Sequence, residues 1–167
     1  MCIVIDADVF SSIVNREAGA HSEFEPLIKW ISLGKGKVVY GGSEYKKQIK
    51  KHRGFRDWLH QLEKSGKTVP IDGNDVDSTE KYLKDNFVRS DYDDHHILAI
   101  TIVSGCKLVC SSDAGCHSLV DSCYQQEMKK LISRNCPCVE NPTRPKIYKN
   151  KGHKGLLCDS NIAKCCR

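Results

Sequence analysis

Apolar positions along this chain follow two rhythms. Short unbroken apolar runs, the mark of strands buried on both faces, alternate with stretches whose apolar residues fall three and four apart, the mark of packed helices. The run Cys2-Ile3-Val4-Ile5 is the first of these strands, and it ends in Asp6. Residues 7–15 follow with Val9, Ile13 and Val14 on one helical face. Residues 24–33 carry Phe24, Leu27, Ile28 and Ile31 at helical spacing, and Gly34-Lys35-Gly36 stops them. Lys37-Val38-Val39-Tyr40 is a second strand, with Gly41-Gly42 as a turn. Ser43 is placed to cap a helix that begins at Glu44-Tyr45 and reaches about Ser65, broken at Gly54. Residues 68–71 form a third, weaker strand, and residues 75–87 a helix. Residues 91–104 predict another helix through Ile97, Leu98, Ile100 and Val103, which Gly105 ends. A strand at 107–110, short helices at 113–120 and 125–134, and a strand at 146–149 complete the pattern. Strands alternating with helices predict an α/β fold with a central parallel sheet and crossover helices.

The length of 167 residues fits one such domain and a short tail, and excludes a large multidomain enzyme. After Cys136 the chain turns Pro-, Lys- and Gly-rich, so the boundary is expected near Asn135, with a body at 1–134 and an extension at 135–167. No apolar run approaches ~18 residues, which excludes a membrane-spanning helix. The start, Met1-Cys2-Ile3-Val4-Ile5-Asp6, lacks the basic region of a signal peptide. The ten cysteines are therefore expected as reduced thiols of a cytoplasmic protein.

Charge is unevenly spread. Residues 44–67 hold eight Lys/Arg against three Asp/Glu, residues 72–94 three against eight, and residues 129–167 ten against two. Two basic regions flanking an acidic one favour a polyanionic partner, although solvated faces produce the same pattern.

The candidate chemistry lies in the acids. In a parallel sheet, ligands bind beyond the carboxyl ends of the strands. Asp6 ends the first strand, Asp113 follows the 107–110 strand, Glu44 follows the second strand, and Asp94 opens the helix at 91–104. Four carboxylates from four segments are thus predicted at one sheet edge. Like charges so gathered call for compensation, and Mg²⁺ or Mn²⁺ with oxygen ligands supplies it. Such a centre suits hydrolysis of a phosphodiester. Each acid also has a purely structural reading: Glu44 and Asp94 as first-turn caps, Asp113 as a turn residue.

Four segments carry a resemblance. Ile3-Val4-Ile5-Asp6-Ala7-Asp8-Val9-Phe10 resembles the opening strand and turn of PIN-domain nucleases. Gly41-Gly42-Ser43-Glu44-Tyr45 resembles that family's second acidic site. Asp93-Asp94-His95-His96-Ile97-Leu98-Ala99-Ile100 resembles its Asp-x-x-Ile-Leu-Ala helix, and Lys107-Leu108-Val109-Cys110-Ser111-Ser112-Asp113 its strand and Ser-x-Asp turn. The resemblance covers residues 1–134 and implies a three-layer α/β/α domain with a metal-dependent endoribonuclease activity, in many members that of a toxin. It implies Asp6, Glu44, Asp94 and Asp113 as catalytic acids, with the ion on Asp6, Asp94 and Asp113. Asp8 stands where the family has Asn or Ser, and Asp93 competes with Asp94, which is preferred for its distance from Ala99. Asp8, Asp93 and Ser111 are expected around the ligands, and His95 or His96 near substrate, the other being exposed.

Lys46, Lys47, Lys50, Lys51 and Arg53 follow Glu44 directly, with Lys46/Lys50 and Lys47/Lys51 forming two helical rows suited to RNA phosphates. Trp58 is expected in the core. In the tail, Cys136, Cys138, His153 and Cys158 offer thiolates and an imidazole for Zn²⁺, without paired C-x₂-C spacing. The expected partners are an RNA substrate and, for a toxin, a small antitoxin protein; a homodimer is compatible with the sequence, and no membrane is expected. The competing readings are a non-catalytic module of the same fold that binds RNA or protein, and a receiver-type phosphoryl-transfer domain, for which no Gly-rich phosphate loop is present.

Overall fold

Strand β1 (Cys2–Ile5) forms where the sequence sets four apolar residues in a row, and all four are buried. The structure is a computed structural model that describes residues 1–86, 94–123 and 144–159. A one-turn 3-10 helix (Ala7–Val9) leads into α1 (Phe10–Val14), then α2 (His21–Ser32) and β2 (Lys37–Tyr40). Next come α3 (Ser43–Lys51), α4 (Arg53–Lys64), β3 (Thr68–Pro70), α5 (Gly73–Asn86) and α6 (His95–Ser104). Strand β4 (Leu108–Cys110), α7 (Ala114–Cys123), β5 (Lys146–Tyr148) and a 3-10 helix (Lys151–Leu157) follow. The helix expected at 125–134 lies outside the described residues.

The five strands form one parallel sheet in the order β3-β2-β1-β4-β5. The chain steps outward from β1 to β2 and β3, then returns past β1 to β4 and β5. Right-handed crossovers therefore place α1, α2 and α4 on one face, and α5 and α6 on the other. The core between these layers is dominated by aromatic and branched side chains. Phe10 of α1 stacks on Phe55 of α4 with centroids 3.6 Å apart, and Tyr45 of α3 meets Phe10 edge-on at 6.0 Å. Trp58 is partly buried and packs against Phe55 at 5.4 Å, on the core side as expected.

Four corrections to the sequence reading have physical causes. First, β5 lies in the expected extension, yet it pairs with β4 in the central sheet, and Tyr148 is fully buried. The 3-10 helix after it packs on α2, through Leu157 and a Lys151–Glu23 ion pair at 3.0 Å. Residues 144–157 therefore belong to the body. Second, the long helix at 44–65 breaks at His52 rather than Gly54. The His52 backbone leaves the helical region, and its Nδ1 accepts the Phe55 N–H to start α4. Third, Ser43 does not cap α3; Gly42 precedes the helix and Asp77 of α5 reaches across to accept the Ser43 N–H and hydroxyl at 2.7 and 2.5 Å. Fourth, Cys2 is disulfide-bonded, against the expectation of reduced thiols, while Cys106, Cys110, Cys116 and Cys158 take part in no disulfide. Among the described residues no helix is long and apolar enough to cross a membrane.

Candidate metal centre

The sheet order fixes where a site belongs. Connections leave β1 toward β2 but arrive at β4 from the far side, so the chain diverges between β1 and β4. The crevice beyond their carboxyl ends is where open parallel sheets hold ligands. Asp6 leaves β1 at that point, held by its N–H to the Cys110 carbonyl of β4 at 2.8 Å. Ser111, Ser112 and Asp113 leave β4 beside it, and Asp94, at the entry to α6, faces both.

Asp6 is only 3% exposed. Its Oδ1 accepts the Ala7 N–H at 2.6 Å, whereas its Oδ2 has no hydrogen-bond partner. Burial, reinforced by the charge of Asp8, pushes its carboxyl up to about 6, against some relief from the Ser111 hydroxyl. Asp94 caps nothing: α6 begins without a side-chain cap bond. Its carboxyl instead shares a hydrogen bond with Asp113, and burial together with Asp6 and Asp113 pushes it up to about 7. Asp113 moves the other way. Its Oδ2 accepts the Cys116 N–H at 2.9 Å, and that bond, with the Gly115 N–H, holds it below the usual carboxylate range. The two neighbouring carboxyls are thus driven in opposite directions, Asp94 up and Asp113 down.

The surrounding residues brace this cluster. Asp8 spans the crevice, its Oδ2 accepting from the Ser112 N–H at 2.8 Å and the Ser112 hydroxyl at 2.5 Å. The fully buried Ser111 takes the Asp113 N–H on its hydroxyl at 3.1 Å, and its carbonyl meets His117 Nε2 at 3.0 Å. The Tyr45 hydroxyl donates to the Ile5 carbonyl, so α3 is pinned directly under Asp6.

Two expected participants are not brought in. Glu44 is half-buried on the first turn of α3 and pairs with Lys47 at 3.1 Å, which holds it below the usual range. His95 and His96 are both buried, so neither is the exposed residue expected of the pair. Helix α6 is covered on almost every side, and His96 Nε2 meets Gln48 Oε1 of α3 at 2.9 Å. Asp93 lies outside the described residues, as do Cys136 and Cys138. In the tail, His153 Nδ1 accepts the Lys149 N–H at 3.2 Å and Cys158 is exposed and free, so neither is gathered with other ligands among the described residues.

One participant goes beyond the predicted set. Cys116 Sγ, one oxygen of Asp6 and one of Asp94 lie within 4.8 Å of one another, the group of side chains best placed for an ion among the described residues. The signal was spacing: Cys116 falls three residues after Asp113, one helical turn along α7, and so shares its face. Burial and the nearby Asp6 hold its thiol protonated, far above the ordinary value.

The donor set fits a divalent cation. Asp6 Oδ2 is a buried acceptor that no protein donor fills, a defect worth about 1–3 kcal/mol unless something positive meets it. Outside the centre, a groove of about 410 Å³ opens between α3 and α4. Apolar side chains line it together with Lys46, Lys50 and Arg56, and the carboxylates Asp57 and Glu63 stand among them. Lys47, Lys51 and Arg53 are exposed beside it, Arg53 reaching Asp57 at 3.7 Å. No protein-family model matches the chain, and no curated protein or solved structure matches it either.

Proposed function

We propose that this chain is a PIN-like, metal-dependent endoribonuclease. The observation that carries the reading is the gathering of Asp6 and Asp94 with Cys116 between β1 and β4, Asp113 standing exposed beside Asp94, with the buried Asp6 Oδ2 left unpartnered. A structural role accounts for Asp113, which caps α7, and for Asp6 Oδ1, which caps the 3-10 helix after β1, but not for Asp6 Oδ2 or for Asp94, and the raised carboxyls of Asp6 and Asp94 cost stability. Groups held in costly states at a strand-end crevice mark a functional site.

Mg²⁺ or Mn²⁺ held by Asp6, Asp94 and Asp113 supplies charge neutralisation and Lewis acidity for phosphodiester hydrolysis. The residues do the rest. Asp94, beside Asp6 and Asp113, would complete the ligand set as a carboxylate. Ser111 fixes the Asp113 backbone, and Asp8 holds the two loops at constant separation. Lys46 and Lys50, on the α3 row that lines the groove, take the phosphates of the RNA strand, with Lys47, Lys51 and Arg53 adding charge. Helix α3 is tied to both the β1 end and α6, so the strand is held in fixed relation to the acids.

Glu44 pairing with Lys47, away from the other acids, favours a second reading: a non-catalytic module of the same fold that binds RNA. One experiment separates them. A labelled single-stranded RNA is incubated with Mn²⁺ or Mg²⁺, and with EDTA. The nuclease cuts only with metal, and Asp94→Asn, which retains the fold, loses at least ~100-fold in rate. RNA that is bound in EDTA and never cut with any ion gives the function to the module.

A further inference from the structure

Cys116 changes what kind of ion the centre suits. Its side chain is 1% exposed and its thiol is free. The N–H of Cys116 donates to Asp113 Oδ2, which fixes the first turn of α7 and sets Sγ at the carboxylates. Sγ, an oxygen of Asp6 and an oxygen of Asp94 then lie within 4.8 Å of one another. Beside them, Asp6 Oδ2 is a buried acceptor with no donor. Two oxygens and a sulfur around an unmet negative atom form a cation site of mixed softness.

That mixture discriminates between ions. Mg²⁺ demands a near-octahedral shell of oxygens and gains nothing from sulfur. Zn²⁺ accepts carboxylate oxygen and cysteine sulfur at ~2.0–2.3 Å, and its reactive sites use three protein ligands with a fourth position open. Ligands of a tetrahedral Zn²⁺ stand roughly 3.5 Å apart, so side-chain adjustments of about 1 Å close the cage. We propose that Asp6, Asp94 and Cys116 form a Zn²⁺ site, with the Cys116 thiolate as the ligand that selects Zn²⁺ over Mg²⁺. The inference rests on the metal centre described above and identifies Zn²⁺ as an ion that contends there with the Mg²⁺ or Mn²⁺ of the proposed reaction. On binding, Sγ and the Asp94 carboxyl each release a proton to solvent, and the two positive charges of the ion replace them. Nothing is oxidised or reduced. The arrangement makes Zn²⁺ a competitor of Mg²⁺ and Mn²⁺ for a single place.

Co²⁺ is the probe, because sulfur bonded to cobalt gives a near-ultraviolet charge-transfer band that oxygen ligands lack. The full chain is stripped with EDTA and titrated with Co²⁺, with Mn²⁺ binding followed separately by equilibrium dialysis. The expected result is a charge-transfer band saturating at one ion per chain, discharged by Zn²⁺ and absent in Cys116→Ser. That variant loses at least ~10-fold in Zn²⁺ affinity and keeps its Mn²⁺ affinity within that factor. Cys116→Ala, with a buried group of similar size, replaces it if the serine does not fold. Mn²⁺ binding that needs Asp6, with no charge-transfer band, overturns the sulfur ligand and leaves the carboxylate centre standing. A band that survives in Cys116→Ser overturns the assignment to Cys116. Failure of every ion to bind overturns both this inference and the metal centre.

Discussion

Asp94 occupies the N-cap position of α6 and yet turns its carboxyl to Asp113 rather than to the helix N–H groups. The sequence allowed both uses, because capping and metal binding ask for the same residue type at the same position. Only the burial of α6 decides between them. Asp6 was legible earlier, since an acid straight after a fully apolar strand has no solvent to retreat to. Glu44 was not, because its pairing with Lys47 depends on a rotamer choice that spacing leaves open. The residue scale also carries a pH prediction. A carboxyl raised in the folded state binds its proton more tightly folded than unfolded. Its contribution to stability is complete below the ordinary value of 3.8 and is lost as pH rises through about 6 for Asp6 and about 7 for Asp94. In EDTA, the melting temperature therefore falls as pH climbs through that window, and Asp6→Asn reduces the fall. Thermal melts across the window check this; a wild-type profile that rises there refutes it.

Elements were legible in kind and less so at their joints. The apolar runs located β1, β2 and β4, because a buried parallel strand has no polar face to confuse the pattern, whereas β3 and β5, less buried at the two sheet edges, gave a weaker signal. The α3–α4 junction was missed because the break is made by a side chain, His52, and not by the nearby glycine. The turn before α3 shows what glycine does accomplish. Gly42 has φ 77° and ψ 155°, a region essentially closed to other residues, and a Cβ there would stand 2.5 Å from Val76 Cγ1. That geometry lets α3 rise straight from β2, which sets its lysine row along the groove against α4. The row itself yields a prediction. Reversing Lys46 and Lys50 to Glu weakens RNA binding and lowers the magnitude of the logarithmic salt slope by about 0.7 for each single-strand phosphate that the variant no longer neutralises. Filter binding over a range of salt concentrations measures it, and an unchanged slope removes α3 from the RNA path.

At the scale of the whole molecule, the sheet order matters more than any single motif. An order of β3-β2-β1-β4-β5 leaves one place where the chain parts in two directions, and the raised carboxyls stand there. The sequence predicted strand ends but not strand neighbours, so the crevice was invisible until β4 was seen against β1. The same gap hid the membership of β5. Its basic surroundings read as tail, while its role depends on pairing with β4, far away along the chain. Tyr148→Ala tests that role. The ring is fully buried, and its loss costs about 3 kcal/mol or more in urea unfolding. A cost under about 1 kcal/mol shows that the sheet stands without its last strand.

The Asp8 carboxylate, clasped by Ser112 across the crevice, has a consequence for how the protein handles ions. The loops after β1 and β4 are stapled together by the chain's own groups, so the socket keeps its shape with nothing inside. Its occupant is a tenant and not a keystone. A cation of the kind proposed for this socket would then exchange on the fully folded chain, and the donor atoms already in place, rather than the history of folding, would decide which ion stays.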